Sequence, residues 1–142
     1  MADESAYFES KEFKNILKQY EESVKSGHPA YMDADDLADI ADYYHFYCRY
    51  DEAQAAIELA LKYNPDAIGP LLYKAREALA QNDYETAYEY QARIEAIDSQ
   101  EGLYFKGEIL ICQGKAEEAD ELFRQQLKEV YPDELTDYVY DL

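Results

Sequence analysis

The sequence has no tryptophan, two histidines, two cysteines, five glycines and four prolines in 142 residues. So few chain breakers leave room for long regular elements and argue against collagen-like or low-complexity disorder. Positive charge is scarce as well: 13 lysines and arginines face 32 acids, a formal net charge of −19. That sign repels phosphate backbones and anionic head groups, so neither nucleic acid nor a membrane surface is an expected partner. No stretch approaches the eighteen or so apolar residues of a membrane span. The opening MADESAYFESKEF carries neither a basic leader nor a following apolar run, so the cytoplasm is the expected compartment. Cys48 and Cys112 lie far apart with no Cys-x-x-Cys spacing, which fits two reduced structural thiols rather than a disulfide or a zinc site.

Catalytic signatures are missing too. The chain has no glycine-rich phosphate loop, no nucleophile elbow and no local serine, histidine and aspartate set, so no enzyme is expected. Asp42-x-x-His45 has the spacing of a carboxylate–histidine metal pair, but His28 is the only other histidine and no second motif faces it. The run Asp33 to Asp36 lacks the glycine and closing glutamate of a calcium loop. No metal or cofactor is therefore expected, and a metal-binding or enzymatic helical domain is the minor alternative.

What is present is apolar substance: 48% hydrophobic residues and 16 tyrosines, enough for a folded domain despite the acidity. Apolar residues recur at spacings of three and four throughout, with no strand-like alternation, so the chain reads as all-helical. A first helix is expected over 5–26, with Phe13, Ile16, Leu17, Tyr20 and Val24 on one stripe, stopped by Gly27 and broken at His28-Pro29. This N-terminal segment, 1–30, is expected to pack on the first of the repeats that begin at Tyr31.

From Tyr31 the sequence repeats. YDEA (50–53), YETA (84–87) and AEEA (116–119) each open a helix after a turn, and Ala53, Ala87 and Ala119 are 87 − 53 = 34 and 119 − 87 = 32 residues apart. Leu37, Leu71 and Leu103 show the same intervals. Small residues at Ala41, Ala75 and Gly107 are set to meet those alanines, allowing two helices to approach closely. Asn82 and Gly114 suit the left-handed conformation that ends a helix, whereas Cys48 at the matching point does not.

The pattern Leu37, Ile40-Ala41, Tyr44, Ala53, Ile57, Ala60 and Pro65, echoed at Leu71, Ala75, Ala78, Ala87 and Ile94 and at Leu103, Gly107, Leu110, Ala119 and Phe123, resembles the tetratricopeptide repeat (TPR). It departs from that family at Lys74 and Lys106, where leucine is preferred, at Gln91 in an aromatic place, and at Ser99 where a helix-ending proline is usual. The resemblance implies an all-α fold, an α-solenoid of antiparallel helix pairs forming a TPR-like right-handed superhelix. Three pairs would cover about 31–66, 67–99 and 100–132, and residues 133–142 would begin a fourth repeat, as expected of an N-terminal piece of a longer array.

TPR arrays are scaffolds whose first helices line a concave groove that holds a peptide or partner segment. The resemblance and helical phase together place Asp35, Ala38, Asp39, Asp42 and Phe46 on that lining in the first pair. Leu72, Tyr73, Arg76 and Leu79 line it in the second, and Tyr104, Phe105, Glu108 and Ile111 in the third. The basic clamp that some family members use for acidic chaperone tails is absent. An apolar anchor flanked by lysine or arginine is the better match to this acidic and aromatic lining. The expected function is thus non-catalytic protein or peptide binding. The alternative is an architectural end segment, self-associating through a C-terminal helix around Tyr138 and Tyr140.

Overall fold

The computed structural model describes residues 6–28 and 31–130. The expected opening of a fourth repeat lies outside them. The described residues form seven α-helices beyond a single helical turn at 6–8, with no strand among them: α1 Lys11–Ser26, α2 Ala34–Phe46, α3 Tyr50–Tyr63, α4 Ile68–Ala80, α5 Tyr84–Ile97, α6 Ser99–Cys112 and α7 Ala116–Val130. The fold is all-α, with helices packed in adjacent pairs as in helical-repeat proteins. The chain divides into two compact units, Met1–Tyr73 and Lys74–Leu142.

Within the first unit, α2 and α3 pack against each other around Leu37, Ile40, Ala41, Ala53, Ile57 and Ala60, all removed from solvent. Ala41 and Ala53 are the small residues that the spacing placed at this contact. Helix α1 closes the unit by burying Phe13 and Tyr20, with Tyr20 against the Tyr44 ring at 6.4 Å between centroids.

Helix α1 is shorter than its periodicity suggests. Ser10 caps it by accepting a hydrogen bond from the Phe13 amide at 3.2 Å, so Tyr7 and Phe8 belong to a separate turn. Its end is as expected, with Gly27 at φ 72°. Val24, placed on the buried stripe, is instead 60% exposed.

In the second unit α5 packs on α6 and α6 on α7. Asp98 alone joins α5 to α6: its amide bonds to the Ile94 carbonyl while its carboxylate accepts from the Glu101 amide. This tight link brings the backbones together at Gly102, where a Cβ would overlap the backbone of Glu95. Gln91, an apparent departure from the repeat pattern, is buried there and donates to the Gly102 carbonyl at 3.0 Å and to Glu95 Oε1 at 2.7 Å. Its polar amide is therefore satisfied.

The repeat is written into the turns as well. At Cys48, Asn82 and Gly114 the backbone is left-handed, with φ of 61°, 59° and 79°. Their amides reach the carbonyls of His45, Leu79 and Ile111, and the next amides, of Arg49, Asp83 and Lys115, reach Tyr44, Ala78 and Leu110. These are three copies of one helix-ending motif, separated by 82 − 48 = 34 and 114 − 82 = 32 residues. Cys48 thus adopts the conformation that a side chain with a Cβ resists.

Candidate functional site

Helix α2 starts as its sequence dictates. The Asp33 carboxylate accepts from the Asp35 amide at 2.8 Å, and Asp35 and Asp36 occupy the first turn beside the positive end of the helix dipole. With Leu37, Ile40, Ala41 and Tyr44 turned into the core, the opposite side presents Asp35, Asp39, Asp42 and Phe46. Asp35 and Asp42 are exposed, Phe46 is 47% exposed and Asp39 is partly buried.

Two borders frame this face. On one, the beginning of α4 comes close: a Cβ at Gly69 would lie 3.0 Å from Asp35 Oδ1 and 3.3 Å from the Ala38 methyl. Ala38, expected on the lining, is consequently only 7% exposed and unavailable to a partner. Farther along the same border the Tyr73 hydroxyl stands 3.3 Å from His45 Nδ1, and the His45 ring meets Tyr50 and Tyr73 edge-on. Leu72 and Tyr73 are half-buried here.

On the other border lies the Tyr7-Phe8 turn. Phe8 is 7% exposed and packs on Tyr43 and Phe46 at 5.5 and 5.9 Å, while the Tyr7 hydroxyl donates to Asp39 Oδ2 at 3.4 Å. Burial, and then the neighbouring Asp36 and Asp35 charges, push the Asp39 carboxyl up, with the Tyr7 hydrogen bond partly opposing them. Desolvation and the charges of Asp33, Asp35 and Glu12 push Asp36 in the same direction.

The remaining expected residues belong to the second unit. Arg76 reaches Glu108 at 3.4 Å and its guanidinium lies 6.0 Å from the Phe105 ring centre. Phe105 itself is 1% exposed, a core residue and not a lining one. Leu79 is half-buried. Tyr104 and Ile111 are 63% and 53% exposed, one helical face with Glu108 between them, and the Tyr104 ring rests on Phe123 at 5.6 Å.

No family model and no curated protein sequence matches the chain. The functional reading therefore rests on the residues and their geometry.

A concavity of about 640 Å³ is lined by residues of α1, α2 and α3, with Leu17, Tyr20, Val24, Tyr44 and Ala55 as its apolar part. Lys14, Lys18 and Lys25 on its walls are matched by Glu21, Glu22 and Glu52, so it selects neither charge. Among the described residues no group of three or more metal-ligating side chains is arranged to hold an ion, and no helix is long and apolar enough to cross a membrane. Cys48 and Cys112 are exposed free thiols, and Tyr50 is 51% exposed.

Sequence reasoning missed Tyr7, Phe8 and Tyr43 as parts of the α2 face. A signal was available: Phe8 and Phe13 are five residues apart, which breaks a helical stripe, and the capping residue Ser10 falls between them.

Proposed function

We propose that the chain is a non-catalytic protein-interaction scaffold of TPR-like helix pairs, binding a peptide or partner segment on the outward faces of its first helices. The observation that carries this reading is the α2 face itself: Asp35, Asp39 and Asp42 along one side of the helix and Phe46 at its end, held in place by a helix whose other side is fully committed to the core. Carboxylates along a helix that ends in an exposed aromatic ring suit an apolar anchor flanked by lysine or arginine, since charge complementarity orients the partner and the ring supplies burial. The companion proposals are a cytoplasmic location and a partner other than nucleic acid, the second because a net charge of −19 repels phosphate backbones.

The test is affinity capture from the native cell with the intact chain and with a double variant, Asp39→Lys plus Tyr73→Ala. A partner retained by the first and lost by the second is expected, with both chains sharing one circular dichroism spectrum. Retention by both places the binding elsewhere. A second reading, self-association, draws on the exposed Ile97, Tyr104, Ile111 and Leu127 of the second unit. A concentration-dependent dimer abolished by Ile111→Lys would favour it over the scaffold reading.

A further inference from the structure

The α2 face is already partly occupied by a piece of the same chain. The occupant is small: one helical turn at 6–8, separated from α1 by Glu9 and the capping residue Ser10. It is held by the Phe8 ring, by the Tyr7 ring against Phe13 at 5.4 Å and by the Tyr7 hydroxyl. Phe8 is inserted among Phe13, Tyr43 and Phe46, with ring centres 5.1 to 5.9 Å apart. The Tyr7 hydroxyl makes a long, 3.4 Å bond to Asp39.

We infer that the Tyr7-Phe8 turn is a built-in competitor for the α2 face, and that the partner displacing it presents an aromatic residue next to a lysine or arginine. This rests on the reading of that face as a partner site. The aromatic part follows from what Phe8 fills. The basic part follows from Asp39: Tyr7 offers it a neutral donor at the far limit of hydrogen bonding, where a cation would make a charge-assisted bond roughly twice as strong. Asp35, Asp36 and Asp42 on the same helix add attraction for a cation and none for the tyrosine. A tethered competitor lowers the apparent affinity of any partner in proportion to the fraction of molecules in which the turn is closed. Its release therefore strengthens binding without any new contact.

The probe is a synthetic peptide copying residues 5–10 with Tyr7→Lys, beside the unmodified copy, titrated by NMR into the intact chain and two released variants. Phe8→Ala removes the inserted ring. Tyr7→Asp sets a carboxylate against Asp39 and leaves Phe8 intact, so the question stays open to test if the first variant folds poorly. The expected result is that the lysine peptide shifts Tyr43 and Phe46 resonances and binds a released variant at least tenfold more tightly than the unaltered chain. It should also bind more tightly than the unmodified copy, an advantage that Asp39→Asn removes. Equal affinity for released and unaltered chains overturns the competitor while leaving the partner site standing. Absence of binding to every form overturns the partner site on α2 as well, and equal affinity of the two peptides overturns the basic part of the partner.

Discussion

Two residues of this chain carry conformational demands of opposite kind. Cys48 holds φ at 61°, where a Cβ crowds its own carbonyl at a cost of roughly 1–2 kcal/mol, and Gly114 at the same point of a later repeat has no such cost. Cys48→Gly should accordingly stabilise the chain, by about 0.5–1 kcal/mol once the extra flexibility of unfolded glycine is subtracted. Gly102 is the converse case: its missing Cβ is what lets α6 approach the backbone of Glu95. Gly102→Ala should cost on the order of 1–3 kcal/mol through overpacking and weaken the Gln91 bond to the Gly102 carbonyl. Urea unfolding of both variants checks the pair, and shifts of the same sign would contradict the assignment. Of these two residues, only the strain at Cys48 was legible in the sequence, because a left-handed helix end is a local property. The Gly102 contact depends on a single-residue link bringing two helices together, which no local pattern states.

At the scale of the helix, small residues in register decide how closely elements pack. Ala53 and Ala87 begin the second helices of their repeats and are wholly buried, as are Ala41 and Ala75 in the helices before them. Ala53→Leu or Ala87→Leu forces a branched side chain into space already filled. Each should lower stability by about 1–3 kcal/mol in urea unfolding, and unchanged midpoints for both would refute the close contact. This part of the fold was readable because the alanines and leucines recur together at 34 and 32 residues, and the turns at 48, 82 and 114 keep those intervals. Helix phase was readable only where a helix has two distinct sides. Helix α2 does, and its aspartates face outward as expected; Ala38 failed because Gly69 on α4 covers it. Helix α6 is apolar nearly all round, with Tyr104, Phe105, Ile109, Leu110 and Ile111, so nothing in its pattern says that Phe105 turns inward and Tyr104 outward. The boundary of α1 shows how a cap overrides periodicity: Ser10 starts the helix six residues later than the apolar pattern suggested.

For the molecule as a whole, the excess of acid over base sets how stability responds to pH and salt. At neutral pH most of its 32 carboxylates repel one another, and 13 cations cannot offset them. Asp39 and Asp36 sharpen the effect, because burial and neighbouring aspartates raise both above the ordinary carboxyl value of 3.8 in the folded state. A carboxyl so raised takes up its proton in the folded chain before it does in the unfolded one. Its stabilising contribution is therefore complete below the unfolded value and is lost as pH rises through the folded one. Stability should consequently increase as pH falls from 7 into the region just above 3.8. That is the reverse of the acid lability seen where carboxylates are held by cations. Added salt should raise stability at pH 7 by screening the repulsion, and do so less at the lower pH. Asp39→Asn removes one of the two raised groups while keeping an oxygen for the Tyr7 hydroxyl. It should raise the thermal midpoint at pH 7 and flatten the rise on acidification. Thermal unfolding of both chains across this range, at low and high salt, decides the matter: a midpoint that falls steadily with pH, or an Asp39→Asn chain with the same slope as the original, would show that the acidic face is relieved by contacts other than those around Tyr7.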